Sequence, residues 1–167
     1  MRQSRSGSPA LRGFRLRLPV RFSECDLYGV VWHGRYAVYL EELRNAVSAR
    51  FDWSVVTARD AGYLIPITRM EIAYHAPARF GSTLEITGRL RPPEVARFVF
   101  DYEIRDGSGA RLTSATTEQV VTRLDGELLV ALPRRFRDLA EAILAGQDDD
   151  AVRDLTVAGE SSGTGSA

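Results

Sequence analysis

The hydrophobic rhythm of this chain changes twice along its length, and that change limits the folds open to it. Phe14, Leu16, Leu18, Val20 and Phe22 alternate with Arg15, Arg17, Pro19 and Arg21, the period of a strand with one buried face. Pro19 marks an edge or a bulge. From Tyr36 the period lengthens. Tyr36, Leu40, Leu43, Val47 and Phe51 recur every three to four residues, Tyr39 and Ala46 widen the stripe, and Glu42, Asn45 and Ala49 fall opposite. This predicts an amphipathic helix of about four to five turns, whose apolar face must cover something large. Residues 54–61 add a short helical turn. Alternation then returns at Met70, Ile72 and Tyr74, over Leu84–Leu90, and over Ala96–Ile104. Asp106-Gly107-Ser108-Gly109 and Asp125-Gly126 read as hairpin turns, flanking a long strand over 110–124 and leading into another over 127–132. Pro133 opens a final helix over 134–145, with Phe136, Leu139, Ala140, Ile143 and Leu144 on one side. Strand, long helix, antiparallel strands and short helix make an α+β arrangement, a sheet with one apolar face wrapped around the long helix.

The ends are different in kind. Residues 1–12 are rich in Ser, Arg and Gly, and from Gln147 the chain turns acidic and then Gly/Ser/Thr-rich, so one domain over 13–146 is expected between unstructured segments 1–12 and 147–167. Lys+Arg and Asp+Glu balance at 22 each. That balance gives no reason to expect nucleic acid or an anionic membrane as partner. Every basic residue is Arg, which removes Schiff-base and P-loop lysine chemistry. The lone Cys25 cannot form an internal disulfide, and no run approaches the ~20 apolar residues of a membrane span. A cytoplasmic location is therefore expected. His33 and His75 are the only histidines, so neither a metal nor a cofactor is expected. Gly159-Glu160-Ser161-Ser162-Gly163 matches a nucleophile-elbow pattern, but it lies in a polar tail without the strand and helix that such an elbow needs.

The informative loop is Cys25-Asp26-Leu27-Tyr28-Gly29-Val30-Val31-Trp32-His33-Gly34-Arg35-Tyr36, between the first strand and the long helix. A helix N-terminus offers unpaired N–H groups and a partial positive charge, which stabilise an oxyanion. A carboxylate beside it is ionised at neutral pH and is able to attack a carbonyl carbon or activate water. Taken alone, an Asp before a Gly-containing loop is an Asx turn, and a His at that position caps the helix.

The run Asp26-x-x-Gly29-x-Val31-x-His33-x-x-Tyr36 resembles the signature of hotdog-fold acyl-CoA thioesterases, typified by 4-hydroxybenzoyl-CoA thioesterase and YbgC-like relatives. Downstream, Tyr74-x-x-Pro77-Ala78-x-Phe80-Gly81-x-x-Leu84 resembles the strand and turn that follow in that family, and the similarity spans about residues 14–140. The resemblance implies a hotdog fold, with a five- to six-stranded antiparallel sheet around one central helix, and hydrolysis of acyl-CoA or acyl-carrier-protein thioesters without a metal. It implies Asp26 as nucleophile or general base and the backbone N–H of His33 or Gly34 as oxyanion donor. An acyl pocket is expected from Tyr28, Gly29, Val30, Trp32 and Tyr36, with Arg44 from the helix and Ile67 and Thr68 from the facing strand. A homodimer or homotetramer with sites between subunits is also implied. Members that bind coenzyme A carry several basic residues before the strand that starts here near Val95, whereas only Arg91 and Arg97 stand in this chain, with Glu94 between them. An acyl carrier protein is therefore the competing carrier. Polyketide-associated hotdog thioesterases share the helix Arg at the position of Arg44 but have Asn where this chain keeps Asp26. A hotdog hydratase or dehydratase, and a non-catalytic acyl-thioester-binding module, are the alternative functions. Thiol release, enoyl hydration and binding without turnover separate the three.

Overall fold

In the computed structural model, which describes residues 10–148 and 154–155, the long-period segment forms helix α1 (Arg35–Arg50). Strand β1 (Phe14–Pro19) precedes it. After it come α2 (Val55–Asp60), β2 (Tyr63–Leu64), β3 (Ile67–Tyr74), β4 (Thr83–Leu90), β5 (Arg97–Arg105) and β6 (Arg111–Val120). The chain continues through β7 (Thr122–Arg123), α3 (Arg134–Asp148) and β8 (Asp154–Leu155). The main sheet has the order β3-β6-β5-β4-β1-β8, and β2 and β7 form a separate ribbon. Pairing from β3 through β1 is antiparallel, and β8 lies parallel to β1 with Arg15 opposite Asp154.

The sheet's inner face closes over α1 as the periodicity requires. Leu40, Leu43 and Val47 of the helix are fully buried, as are Phe14 and Leu16 of β1 and Leu84, Ile86 and Leu90 of β4. Burial of each such side chain stabilises the fold by roughly 1.5–3 kcal/mol before entropy is counted. Gly88 explains how closely helix and strand approach, because a Cβ there would lie 2.5 Å from the Leu43 Cδ2 atom. Helix α3 covers the other end of the sheet with Phe136, Ala140 and Ile143. The Phe136 ring meets Trp53, Tyr63 and Phe98 edge to face, with centroids 5.1, 5.3 and 6.2 Å away.

Three elements depart from the sequence expectation. The first strand stops at Pro19, and Phe22 turns outward in a single 3-10 turn (Phe22–Glu24), 78% exposed against the Phe80 ring. Residues 127–132 form no strand. Only Leu128 bridges back to Thr122, and Val130 is exposed, because the run lacks alternation and must swing the chain into α3. The expected tail boundary at Gln147 also moves, since α3 runs to Asp148 and β8 adds to the sheet. Gln147 is buried and acts as a short substitute strand: its Oε1 accepts from the Leu90 N–H at 2.9 Å and its Nε2 donates to the Leu90 carbonyl at 3.0 Å. The rest of the two expected tails, with the Gly159–Gly163 pattern, lies outside the described residues. No described helix is long and apolar enough to cross a membrane.

Candidate active site

The loop before α1 is a tight hairpin-like turn. The Asp26 N–H donates to the Val30 carbonyl at 2.8 Å and the Gly29 N–H to the Asp26 carbonyl at 3.0 Å, with Cys25 bridged to Val31. Gly29 sits at φ +71°, a conformation in which a residue with a Cβ would be strained. Within this turn the Asp26 Oδ1 accepts the Tyr28 N–H at 2.8 Å. The local geometry is thus the Asx turn of the ordinary reading, and it leaves the second carboxylate oxygen without a hydrogen bond among the described residues. The turn carries Leu27 and Tyr28 out into solvent, 104% and 87% exposed.

The chain then folds back to start α1. Trp32 N–H donates to the Glu24 carbonyl, Val31 N–H to the Ala78 carbonyl, and Arg35 N–H to the Trp32 carbonyl. Neither the His33 nor the Gly34 N–H donates a hydrogen bond among the described residues. Two free amides at a helix entrance are an anion-seeking pair, reinforced by the partial charge of the helix end. The Trp32 indole lies over Gly34, where a Cβ would come within 2.1 Å of the ring. Any side chain at residue 34 would push that indole aside. Tyr74 of β3 fixes the entrance from the other side, its hydroxyl donating to the His33 carbonyl at 2.9 Å. The Tyr36 hydroxyl accepts from the Ala78 N–H at 3.0 Å, and burial pushes its pKa up.

Glu24, which the sequence reading passed over, holds the loop to the helix. Its buried carboxylate accepts from the Tyr39 hydroxyl at 2.7 Å, from the Arg35 guanidinium at 3.0 and 3.1 Å, and from the Arg21 N–H at 2.9 Å. Burial opposes ionisation, but the Arg21 N–H, Tyr39 and Arg35 outweigh it and hold the carboxyl below its ordinary value of 4.5. The Tyr39 hydroxyl is correspondingly pushed up by burial and by Glu24. Glu24→Gln is expected to destabilise the fold by about 1–3 kcal/mol at neutral pH. A carboxyl with a depressed folded-state pKa contributes stability above its unfolded value, and that contribution vanishes as pH falls through the folded value. The gap between wild type and Glu24→Gln in urea unfolding should therefore be full near pH 7 and narrow steadily below pH 4.5. A gap independent of pH would show that the charge does not matter.

Other nominated residues separate into two cavities and an outer face. His33, Tyr36, Tyr74, His75 and Pro77 line an open cavity of about 270 Å³ at the helix entrance. A second cavity of about 440 Å³ lies further along α1, where Arg44, Trp53, Tyr63, Ile65, Ile67 and Gln119 meet. Asp26 lines neither. Tyr28 and Gly29 are on the exposed turn, Val30 bridges to Arg79, and Trp32 is 54% exposed beside the His33 ring. Thr68 is exposed and bonds the Glu118 carbonyl at 3.4 Å across β6, so it joins Ile67 on the strand but not in the cavity. Arg91 and Arg97 already have carboxylate partners. Arg91 pairs with Asp101 through bonds of 2.6 and 2.7 Å, and Arg97 with Glu118 at 3.1 Å.

Comparisons with known proteins agree with this architecture. Residues 20–143 match the thioesterase-like superfamily. The acyl-CoA thioester hydrolase YbgC of Escherichia coli is 26% identical over 102 residues, which are 61% of this chain and 76% of that protein. Among solved structures, protein TT1821 of Thermus thermophilus superposes with a TM-score of 0.69 at 28% identity, covering 78% of this chain and 98% of its own. Slr0204 of Synechocystis, a 1,4-dihydroxy-2-naphthoyl-CoA thioesterase, superposes with a TM-score of 0.72 at 22% identity, covering 81% of this chain and 98% of its own, a likeness of fold. Because that family match runs from the loop at the helix entrance through the long helix and most of the sheet, the chain belongs to the thioesterase-like superfamily.

Proposed function

We propose that this chain hydrolyses acyl-CoA thioesters, with Asp26 as nucleophile or general base and the His33 and Gly34 N–H groups as oxyanion donors. The observation that carries the reading is the pair of unengaged amides at the entrance of α1, one turn of chain from a carboxylate with a free oxygen. As Asp26, or a water it deprotonates, adds to the thioester carbon, charge moves onto the carbonyl oxygen. The His33 and Gly34 N–H groups, which have no other hydrogen-bond partner among the described residues, then donate to that oxygen. Collapse breaks the C–S bond, and the leaving thiolate takes the proton that Asp26 removed from water or, when Asp26 is the nucleophile, a proton from solvent. If Asp26 is the nucleophile, water then cleaves the resulting anhydride to regenerate the carboxylate.

A second copy of the chain completes the site in this reading. Strand β3 ends the sheet and exposes much of its length, with Ile67 and Tyr74 uncovered, and the turn bearing Asp26 presents Leu27 and Tyr28 to solvent. An open strand beside exposed apolar groups favours pairing with a second copy by two-fold symmetry. An acyl carrier protein is the competing carrier because Arg91 and Arg97, the candidates for phosphate contact, are both engaged by carboxylates. Release of thiol should be followed on acyl-CoA and acyl-carrier-protein forms of aryl, short-chain and long-chain acids, alongside sedimentation of the same sample. Thiol release from a species larger than the monomer is the expected result. Enoyl hydration, or binding without turnover, would replace hydrolysis by one of the alternatives.

A further inference from the structure

The larger cavity contains an electrostatic debt. Arg44 projects from α1 into the fold and is only 8% exposed. Buried charges are ordinarily paired and hydrogen-bonded, because an uncompensated one loses its hydration for nothing. Arg44 has a single carboxylate nearby, Glu41, 3.6 Å from Nη2 and itself 59% exposed. A pair with one partner in water provides little compensation. The Tyr102 phenol close to the guanidinium is neutral, and burial pushes its pKa further up. The Arg44 Nη1 atom is buried with no hydrogen-bond partner, and so is Trp53 Nε1. Both residues line the same cavity, whose surface is mostly apolar but includes the Glu41 carboxylate at its exposed side and the polar side chains of Asn45, Ser48 and Ser54. Gln119 also lines it, with its amide nitrogen held by the Ile65 carbonyl at 3.2 Å.

Its position relative to the helix entrance sets a length. Strand β3 runs alongside α1 in the opposite sense: Tyr74 meets His33 and Tyr36 at one end, and Ile67 meets Arg44 at the other. Gly34 and Arg44 are ten residues apart on the helix, roughly 15 Å at the usual rise. The two cavities share no lining residue, and the farther one, mostly apolar with unpaired donors, suits the anionic tip of an otherwise apolar acyl chain.

We infer that the Arg44–Trp53 cavity receives a carboxylate carried at the far end of the acyl group, which makes the preferred substrates half-thioesters of medium-length dicarboxylic acids. This deepens the proposed function and rests on it for the location of the thioester carbon. The test compares CoA half-thioesters of medium-chain dicarboxylic acids with CoA thioesters of methyl-ended acids of equal length. The wild-type protein should favour the carboxylate-ended series by more than about tenfold in kcat/KM, the scale of a lost charge-assisted hydrogen bond. In Arg44→Met that ratio should fall to about one, and Trp53→Phe, which removes the N–H donor together with part of the ring that packs on Phe136, should lower it partway. Thermal melting of each variant shows whether it is folded. The wild-type ratio needs no variant, so misfolding cannot hide the answer. Thiol release without a carboxylate preference, or a ratio unchanged in folded Arg44→Met, overturns the inference and leaves the thioesterase reading intact. If no thioester is cleaved, that reading fails instead, and calorimetric binding of the same two series decides the inference by itself. Equal affinities would overturn it.

Discussion

Asp26→Asn is expected to lower kcat for acyl-CoA hydrolysis by about 10²–10⁴-fold, the range over which a positioned acid or base accelerates a reaction. The substitution is unusually clean. The one hydrogen bond that Asp26 accepts, from the Tyr28 N–H, serves an Asx turn, and an Asn side-chain carbonyl fills that role equally well. The turn, Gly29 and the start of α1 should keep their geometry, and thermal stability should move little. What disappears is the negative charge and the nucleophilic or basic oxygen. Steady-state thiol release, with circular dichroism as the control, checks this. An Asn variant that turns over at near wild-type rate would assign Asp26 to the turn alone, and hydrolysis would then need another origin.

Phe136→Ala should produce the largest loss of stability from a single truncation, about 3–5 kcal/mol. Its ring is wholly buried, and three aromatic rings from α1's trailing loop, β2 and β5 rest on it. Removal leaves a void that rings from three elements cannot collapse to fill. For a domain of this size the loss corresponds to a fall in Tm of roughly 10 °C. A decrease below about 1 kcal/mol in urea unfolding would mean that α3 is loosely docked and dispensable. Because Trp53 is one of the three rings, the same variant should also loosen the wall of the Arg44 cavity.

How much of this was legible in the residues depends on whether burial leaves a rhythm. Helix α1 and strands β3 to β6 were readable because Leu40, Leu43 and Val47 recur at the helical period and Phe98, Phe100, Tyr102 and Ile104 at the strand period. The hairpin turn at Asp106-Gly107-Ser108-Gly109 declared itself by composition, and the Asp106 carboxylate does accept the Ser108 and Ala110 N–H groups there. Phe22 was misplaced because alternation continues past Pro19 on paper, whereas the chain turns away at Arg21 to deliver Glu24 to Tyr39. Glu24, Gln147 and Trp53 were not found at all. Glu24 gathers Arg21, Arg35 and Tyr39, Gln147 reaches Leu90, and Trp53 packs on Phe136, and such isolated contacts leave no period in the sequence. Arg44 was legible as a helix residue that the family resemblance places in the acyl pocket. Its burial and its unpaired nitrogen depend on β5 and α2 closing over it, which no local pattern encodes.

The short strand β8 has a consequence for self-association. Its two residues lie along the outer side of β1, tied by Arg15 and Arg17 to Asp154, so that flank is already occupied and offers too little backbone to template further growth. Among the described residues the open flank of the sheet is β3, so the two-fold pairing proposed above would use that edge in each molecule. The proposed pairing would thus close at two copies instead of extending into a filament.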